Sequence, residues 1–81
     1  MKNPEELAAT GLAQIKTAIL LYLEQHPDGA KNSAVATDLG LRSGLKGLHK
    51  NYLTWSILDL MVDEGLVRVQ MDARVKHYFK V

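Results

Sequence analysis

The spacing of the apolar residues changes from a helical period to a strand period at Gly65. Before this glycine, apolar side chains recur every three or four residues, which is typical of helices that bury one face. After it, apolar and polar residues alternate over 67–71 and over 74–81, which indicates two strands separated by Asp72 and Ala73. The sequence therefore predicts a mainly helical chain that ends in a β-hairpin.

The alternation also predicts which hairpin side chains face the core. The apolar residues of both strands are expected to point inward, and the residues between them outward. The expected inward set is Val67, Val69, Met71, Val75, His77, Phe79 and Val81, and the outward set is Arg68, Gln70, Arg74, Lys76, Tyr78 and Lys80.

Signals at both ends delimit a first helix. Asn3 is a good N-cap residue and Pro4 suits the first helical position. The helix is predicted to end near His26, because a proline follows. Gly11 weakens its first part, so residues 1–10 are expected to fray or to form a separate turn at the edge of the domain.

Two more helices are predicted before the hairpin. The second is short: Asn32 or Ser33 is expected to cap it, and Gly40 is expected to end it after about two turns. Asn51 is expected to cap a third helix that extends to Glu64. The inward face of this third helix is expected to comprise Ile57, Leu58 and Met61.

Composition limits the classes of protein that the chain can be. Its 81 residues suffice for one domain, 1–81, and 47% of them are hydrophobic, enough for a small core. The absence of cysteine excludes disulfide frameworks, thiolate zinc sites and thiol nucleophiles. No secretory leader and no apolar run of membrane-spanning length is recognisable, so a cytoplasmic location without membrane contact is expected.

The sequence offers little support for catalysis. The three histidines, His26, His49 and His77, are far apart and lack the paired spacing of a metal site. No phosphate loop, nucleophile elbow or dinucleotide fingerprint occurs. We therefore expect no enzyme activity, no cofactor or metal, and no small-molecule effector.

Charge is divided unevenly along the chain. Residues 1–41 contain three Lys or Arg and five Asp or Glu, a net charge of −2. Residues 42–81 contain seven and four, a net charge of +3. A basic C-terminal half is typical of a surface that meets an anionic partner.

The order of helix, short helix, loop, helix and hairpin resembles the winged helix-turn-helix superfamily from about Leu12 to Val81. The segment 33–41 (SAVATDLGL) is similar to the positioning helix, and 57–67 (ILDLMVDEGLV) is similar to a recognition helix that leads into the wing. The resemblance implies a recognition helix over 51–64 and a basic wing over 67–81. The implied partner is double-stranded DNA, bound sequence-specifically or architecturally, with transcriptional regulation as the implied role.

The expected DNA contacts fall in three groups. Burial of the inward face leaves polar and aromatic side chains on the outer face of the third helix, where Asp59 also lies. Cationic side chains precede this helix and project from the hairpin, where phosphate contacts are expected. The candidate residues are Arg42, Lys46, His49, Lys50, Asn51, Tyr52, Trp55, Ser56, Arg68, Arg74 and Lys76.

Other interpretations of the same residues remain open. Tyr52 and Trp55 also fit a core or a dimer interface, and the hairpin cations also fit a solubilised sheet edge. An adaptor domain that binds a protein is the main alternative function. Residues 44–47 match the GxxG clamp of KH domains, so RNA binding is a minor alternative.

A homodimer is a further expected assembly, because one small domain makes few base contacts. The first helix is the surface available for it. The residues expected there are Ala8, Ala9 and Leu12, beside Leu20 and Tyr22.

Overall fold

The computed structural model describes residues 3–42 and 51–81. Within these residues three helices precede a two-stranded antiparallel hairpin, as the sequence predicts. The elements are α1 (Pro4–Glu24), α2 (Asn32–Asp38), α3 (Tyr52–Asp63), β1 (Val67–Asp72) and β2 (Val75–Lys80).

The start of α1 follows the sequence signals closely. The Asn3 backbone is extended, and its side-chain oxygen accepts a hydrogen bond from the Glu6 amide at 2.8 Å. Pro4 is the first helical residue. The helix continues through Gly11 without a break, so the separate turn expected in residues 1–10 does not form in the part that is described.

Glycines in the left-handed conformation end α2 and α3 as predicted. Gly40 has φ +70 and Gly65 has φ +77, values that are costly for residues with a Cβ. After each helix the chain reverses so that a following amide reaches back into the last turn: Leu41 donates to the Ala36 carbonyl at 2.8 Å. These ends fix the lengths of the two short helices.

The expected cap of α2 is wrong, whereas Asn51 is the N-cap residue of α3 as predicted but without a side-chain cap. Lys31 is the N-cap residue of α2, and Asn32 already belongs to the helix. The Asn51 side chain makes no capping hydrogen bond at the start of α3. The Asn32 amide group instead donates to the Asn51 carbonyl at 3.1 Å, so these residues link α2 to α3.

One hydrophobic core joins all five elements. Leu58 and Met61 are fully buried and Ile57 nearly so, which confirms the predicted inward face of α3. Leu12, Leu20 and Tyr22 of α1 are partly buried against this core, so much of the surface expected for a dimer is used within the chain. The buried apolar residues are Ile19, Leu23, Ala30, Val35, Ala36, Ile57, Leu58, Met61, Val67 and Tyr78.

The predicted facing of β2 is wrong. Ala73 and Arg74, both with positive φ, form a two-residue turn, and Asp72 pairs with Val75. With a two-residue turn, each pair joins an odd-numbered residue to an even-numbered one. The apolar residues of both strands have odd numbers, so the two apolar sets lie on opposite faces of the hairpin. Val69 therefore pairs with Tyr78, and Tyr78 is the β2 residue that enters the core.

The other residues of β2 also face the side opposite to the one predicted. Val75, His77 and Phe79 lie on the face away from Tyr78, and Lys76 lies on its face. Phe79 covers Gly29, where an added Cβ would lie 2.6 Å from the Phe79 ring. Phe79 thus packs against the turn after α1.

A hydrogen bond between side chains ties α1 to α2. The Tyr22 hydroxyl donates to a carboxylate oxygen of Asp38 at 2.6 Å. This hydrogen bond, followed by burial and the negative charge of Asp38, raises the pKa of Tyr22 to about 12. The contact needs the protonated phenol, so it depends on pH.

Truncation of the α3 core face should destabilise the fold. We expect Leu58→Ala and Met61→Ala each to lower the free energy of unfolding by about 2–5 kcal/mol, because each leaves a cavity. Leu60→Ala on the exposed side of the same helix should change it by less than about 0.5 kcal/mol. Urea titration monitored by circular dichroism measures the free energy of unfolding of all three variants. Equal losses for Leu58→Ala and Leu60→Ala would contradict the observed burial.

The contact between Tyr22 and Asp38 should make stability fall at alkaline pH. The pKa of Tyr22 is about 12 in the folded chain and about 10 when unfolded. The stabilisation is therefore complete below about pH 10 and is lost as pH rises towards 12. Thermal melts over this range should show a steeper decline for the natural chain than for Tyr22→Phe; parallel declines would contradict the assignment.

Candidate nucleic-acid interface

The first turns of α3 present aromatic side chains to solvent. Tyr52 is 57% exposed and Trp55 is 41% exposed, with their rings 5.4 Å apart and nearly perpendicular. Ser56 is also exposed. The buried Thr54 and Leu58 hold the other side of the helix in the core. Trp55 is therefore a surface residue, and its core interpretation no longer applies.

Asn51 lies at the same end of α3 but is part of the scaffold. Its carbonyl accepts hydrogen bonds from the Asn32 side chain at 3.1 Å and from the Trp55 amide at 3.0 Å. Its side-chain oxygen is buried. Among the expected contacts on α3, Tyr52, Trp55 and Ser56 are thus the ones whose side chains reach the surface.

One flank of α3 faces the hairpin. Burial raises the pKa of Tyr78, and the nearby carboxylate of Asp59 raises it further. Trp55 is one helical turn before Asp59 and lies on the same flank. Lys76 is two residues before Tyr78 and lies on the same strand face. The exposed end of α3 and Lys76 therefore belong to one side of the molecule.

The hairpin cations separate into two groups. Arg74 is exposed in the turn, and Lys76 is exposed beside it on the face of Tyr78. Arg68 lies on the opposite strand face, where its guanidinium is 4.3 Å from the centre of the Phe79 ring. Lys80 is 3.6 Å from Glu24 of α1. Of these cations, Lys76 is the exposed one on the strand face of Tyr78, the residue that lies near Asp59 of α3.

The cations expected before α3 are described only in part. Arg42 is exposed directly after the chain leaves α2. Lys46, His49 and Lys50 lie outside the described residues. The GxxG segment at 44–47 also lies outside them.

The outer surface of α3 is more apolar than the sequence analysis anticipates. Leu53 is 50% exposed and Leu60 is 39% exposed, two turns apart along the helix. The helix contains two aspartates and no lysine or arginine. The spacing of seven residues between the two leucines was the sequence signal that could have predicted this apolar surface. Any attraction of this surface for an anion must therefore come from its surroundings.

Two other kinds of site are absent from the described residues. No group of three His, Asp or Glu side chains in 3–42 and 51–81 is arranged to hold a metal ion. Within the same ranges, no helix combines the length and apolar character needed to cross a membrane.

Comparisons with known proteins identify no similar protein. Models of protein families, curated proteins and solved structures were all searched, and none matches this chain. A function for the chain has to be inferred from its own residues.

Proposed function

We propose that this chain is a winged helix-turn-helix domain that binds double-stranded DNA, with a role in transcription or DNA architecture. The order of α1, α2, α3 and the hairpin supports the fold. The backbone of Tyr78 also pairs with Ala30 through hydrogen bonds of 2.8 and 3.0 Å, which docks the hairpin against the segment between α1 and α2. A wing fixed in this way is held beside α3.

The proposal rests on the exposed flank of α3 together with the exposed cations Arg74 and Lys76 of the hairpin. Tyr52, Trp55 and Ser56 extend from the helix end whose free amides favour anions. Arg74 and Lys76 are exposed in and just after the hairpin turn, and Lys76 lies on the strand face of Tyr78. A helix fits the major groove of DNA, and flanking cations bind the phosphates on either side.

The lack of cations on α3 implies a division of roles. Arg42, Arg74 and Lys76 supply the attraction to phosphates, which is salt-dependent and independent of base sequence. The α3 side chains supply hydroxyl groups and apolar surface, which can contact base edges and thymine methyl groups. The domain is thus expected to bind many duplexes weakly and to discriminate through α3.

A second candidate function is favoured by the apolar character of α3. Leu53 and Leu60, together with exposed Tyr52 and Trp55, provide the apolar and aromatic side chains that anchor protein interfaces. An adaptor domain would bury these side chains against a protein partner. Salt dependence separates the two functions, because a phosphate-binding surface weakens steeply as salt rises.

Removal of the turn cations should weaken duplex binding. We expect the double variant Arg74→Ala, Lys76→Ala to lower the affinity for random duplex DNA and to reduce the dependence of log Kd on log salt by about two units, about one for each phosphate contact. Lys80→Ala removes a cation from the same strand and is the matched control, since Lys80 pairs with Glu24. Fluorescence anisotropy at several salt concentrations measures both slopes. Equal slopes for the double variant and the natural chain would exclude the hairpin turn from the interface.

The single tryptophan reports directly on the proposed contact. Trp55 is the only tryptophan in the chain, so intrinsic fluorescence monitors the exposed end of α3. We expect duplex DNA to quench or shift its emission and Trp55→Ala to weaken binding about tenfold, through lost apolar contact with base edges in the major groove. If DNA leaves the emission unchanged at saturating concentration, α3 does not enter the groove. The adaptor function would then be the better explanation of the exposed surface.

A further inference from the structure

We propose that α1 packs antiparallel against α1 of a second copy of this chain, with the two helices crossing at Gly11. The first observation is that α1 extends beyond its own core. It buries only Ile19 and Leu23, whereas residues 3–10 are all exposed. A helical segment of this length is marginal in water without packing. The first turns of α1 therefore have no packing partner among residues 3–42 and 51–81.

A shallow apolar groove continues from this projecting segment. It has a volume of about 360 Å³. Leu7 is 55% exposed one turn before Gly11, on the same flank of α1. The groove is lined by Gly11, Gln14, Ile15, Ala18, Leu39 and Leu41. One chain thus carries both a protruding leucine and a depression lined by small and apolar residues.

The described part of the chain gives no reason for a glycine at position 11. Its φ is not positive, so its conformation does not require glycine. A Cβ built at this position would meet no atom within 4 Å, so packing among the described residues does not require glycine either. Glycine inside a helix is less stable than alanine. Close approach of a second helix backbone accounts for its presence.

A two-fold axis at Gly11 makes the surface self-complementary. In an antiparallel pair, Leu7 lies opposite the partner's Ile15 and enters the groove beside the partner's Ala18. The same contact repeats in the other direction, so the assembly closes as a dimer.

The charges select the antiparallel orientation. Glu5 and Glu6 are exposed in the first turn of α1, and Arg42 is exposed next to Leu41 at the edge of the groove. An antiparallel pair brings each acidic turn towards the partner's Arg42, whereas a parallel pair brings the two acidic turns together. The occupant of the groove is therefore a second copy in the antiparallel sense.

Sedimentation equilibrium tests the surface. We expect the natural chain to dimerise as its concentration rises, and Leu7→Glu to raise the dimer dissociation constant at least about tenfold by placing a carboxylate in the apolar contact. Ala13→Glu adds the same group to another exposed face of α1 and should leave the constant unchanged. Circular dichroism checks that each variant stays folded. A chain that is monomeric up to about 1 mM, or equal effects of the two variants, would overturn the proposal.

Cysteine cross-linking tests the orientation, since the chain contains no natural cysteine. We expect Gly11→Cys to form a disulfide-linked dimer on mild oxidation, because residues at the two-fold axis come within the roughly 4–7 Å between Cα atoms that a disulfide spans. Leu7→Cys and Ala13→Cys should not cross-link to themselves. A Leu7→Cys homodimer would indicate a parallel pair, and failure at position 11 would place the crossing elsewhere; either result overturns the inference. Both tests are independent of DNA binding.

Discussion

The position of Tyr78 is the constraint on which the rest of the structure depends. Its side chain is 1% exposed within the core, and its backbone pairs with Ala30 in the segment between α1 and α2. These contacts fix the hairpin in both position and facing, because β2 cannot shift by one residue without removing Tyr78 from the core. This one side chain therefore decides which face of the hairpin lies towards α3 and which charged residues that face carries.

The facing of the hairpin decides which cations act together. Lys76 lies on the face of Tyr78, near the flank of α3 that carries Asp59 and Trp55. Arg68 is on the other face, stacked on Phe79. The carboxylate of Asp59 lies near enough to Tyr78 to raise the pKa of its phenol. The proposed DNA surface is therefore smaller than the basic half of the sequence suggests, and it combines an apolar helix with cations at its edge.

The two proposed surfaces overlap at one residue. DNA binding uses the exposed end of α3 and the hairpin turn, whereas dimerisation uses the flank of α1 and the groove beside Leu39 and Leu41. Arg42 belongs to both, since it is exposed at the edge of the groove and precedes the segment that leads to α3. A dimer with two recognition helices would read two half-sites, which compensates for the few base contacts of one small domain.

The sequence by itself determined the helices, the hairpin and the inward face of α3, because glycine stops, the Asn3 cap and apolar spacing act through local geometry. It placed Ser56 on the surface for the same reason, whereas it left a core position open for Tyr52 and Trp55, which the structure shows to be exposed. Only the tertiary structure decided that Tyr78 is inward, that Asn32 and Asn51 link two helices, and that Arg68 stacks on Phe79. These features depend on contacts between residues distant in the chain, and alternation along one strand does not reveal which face its partner elements cover.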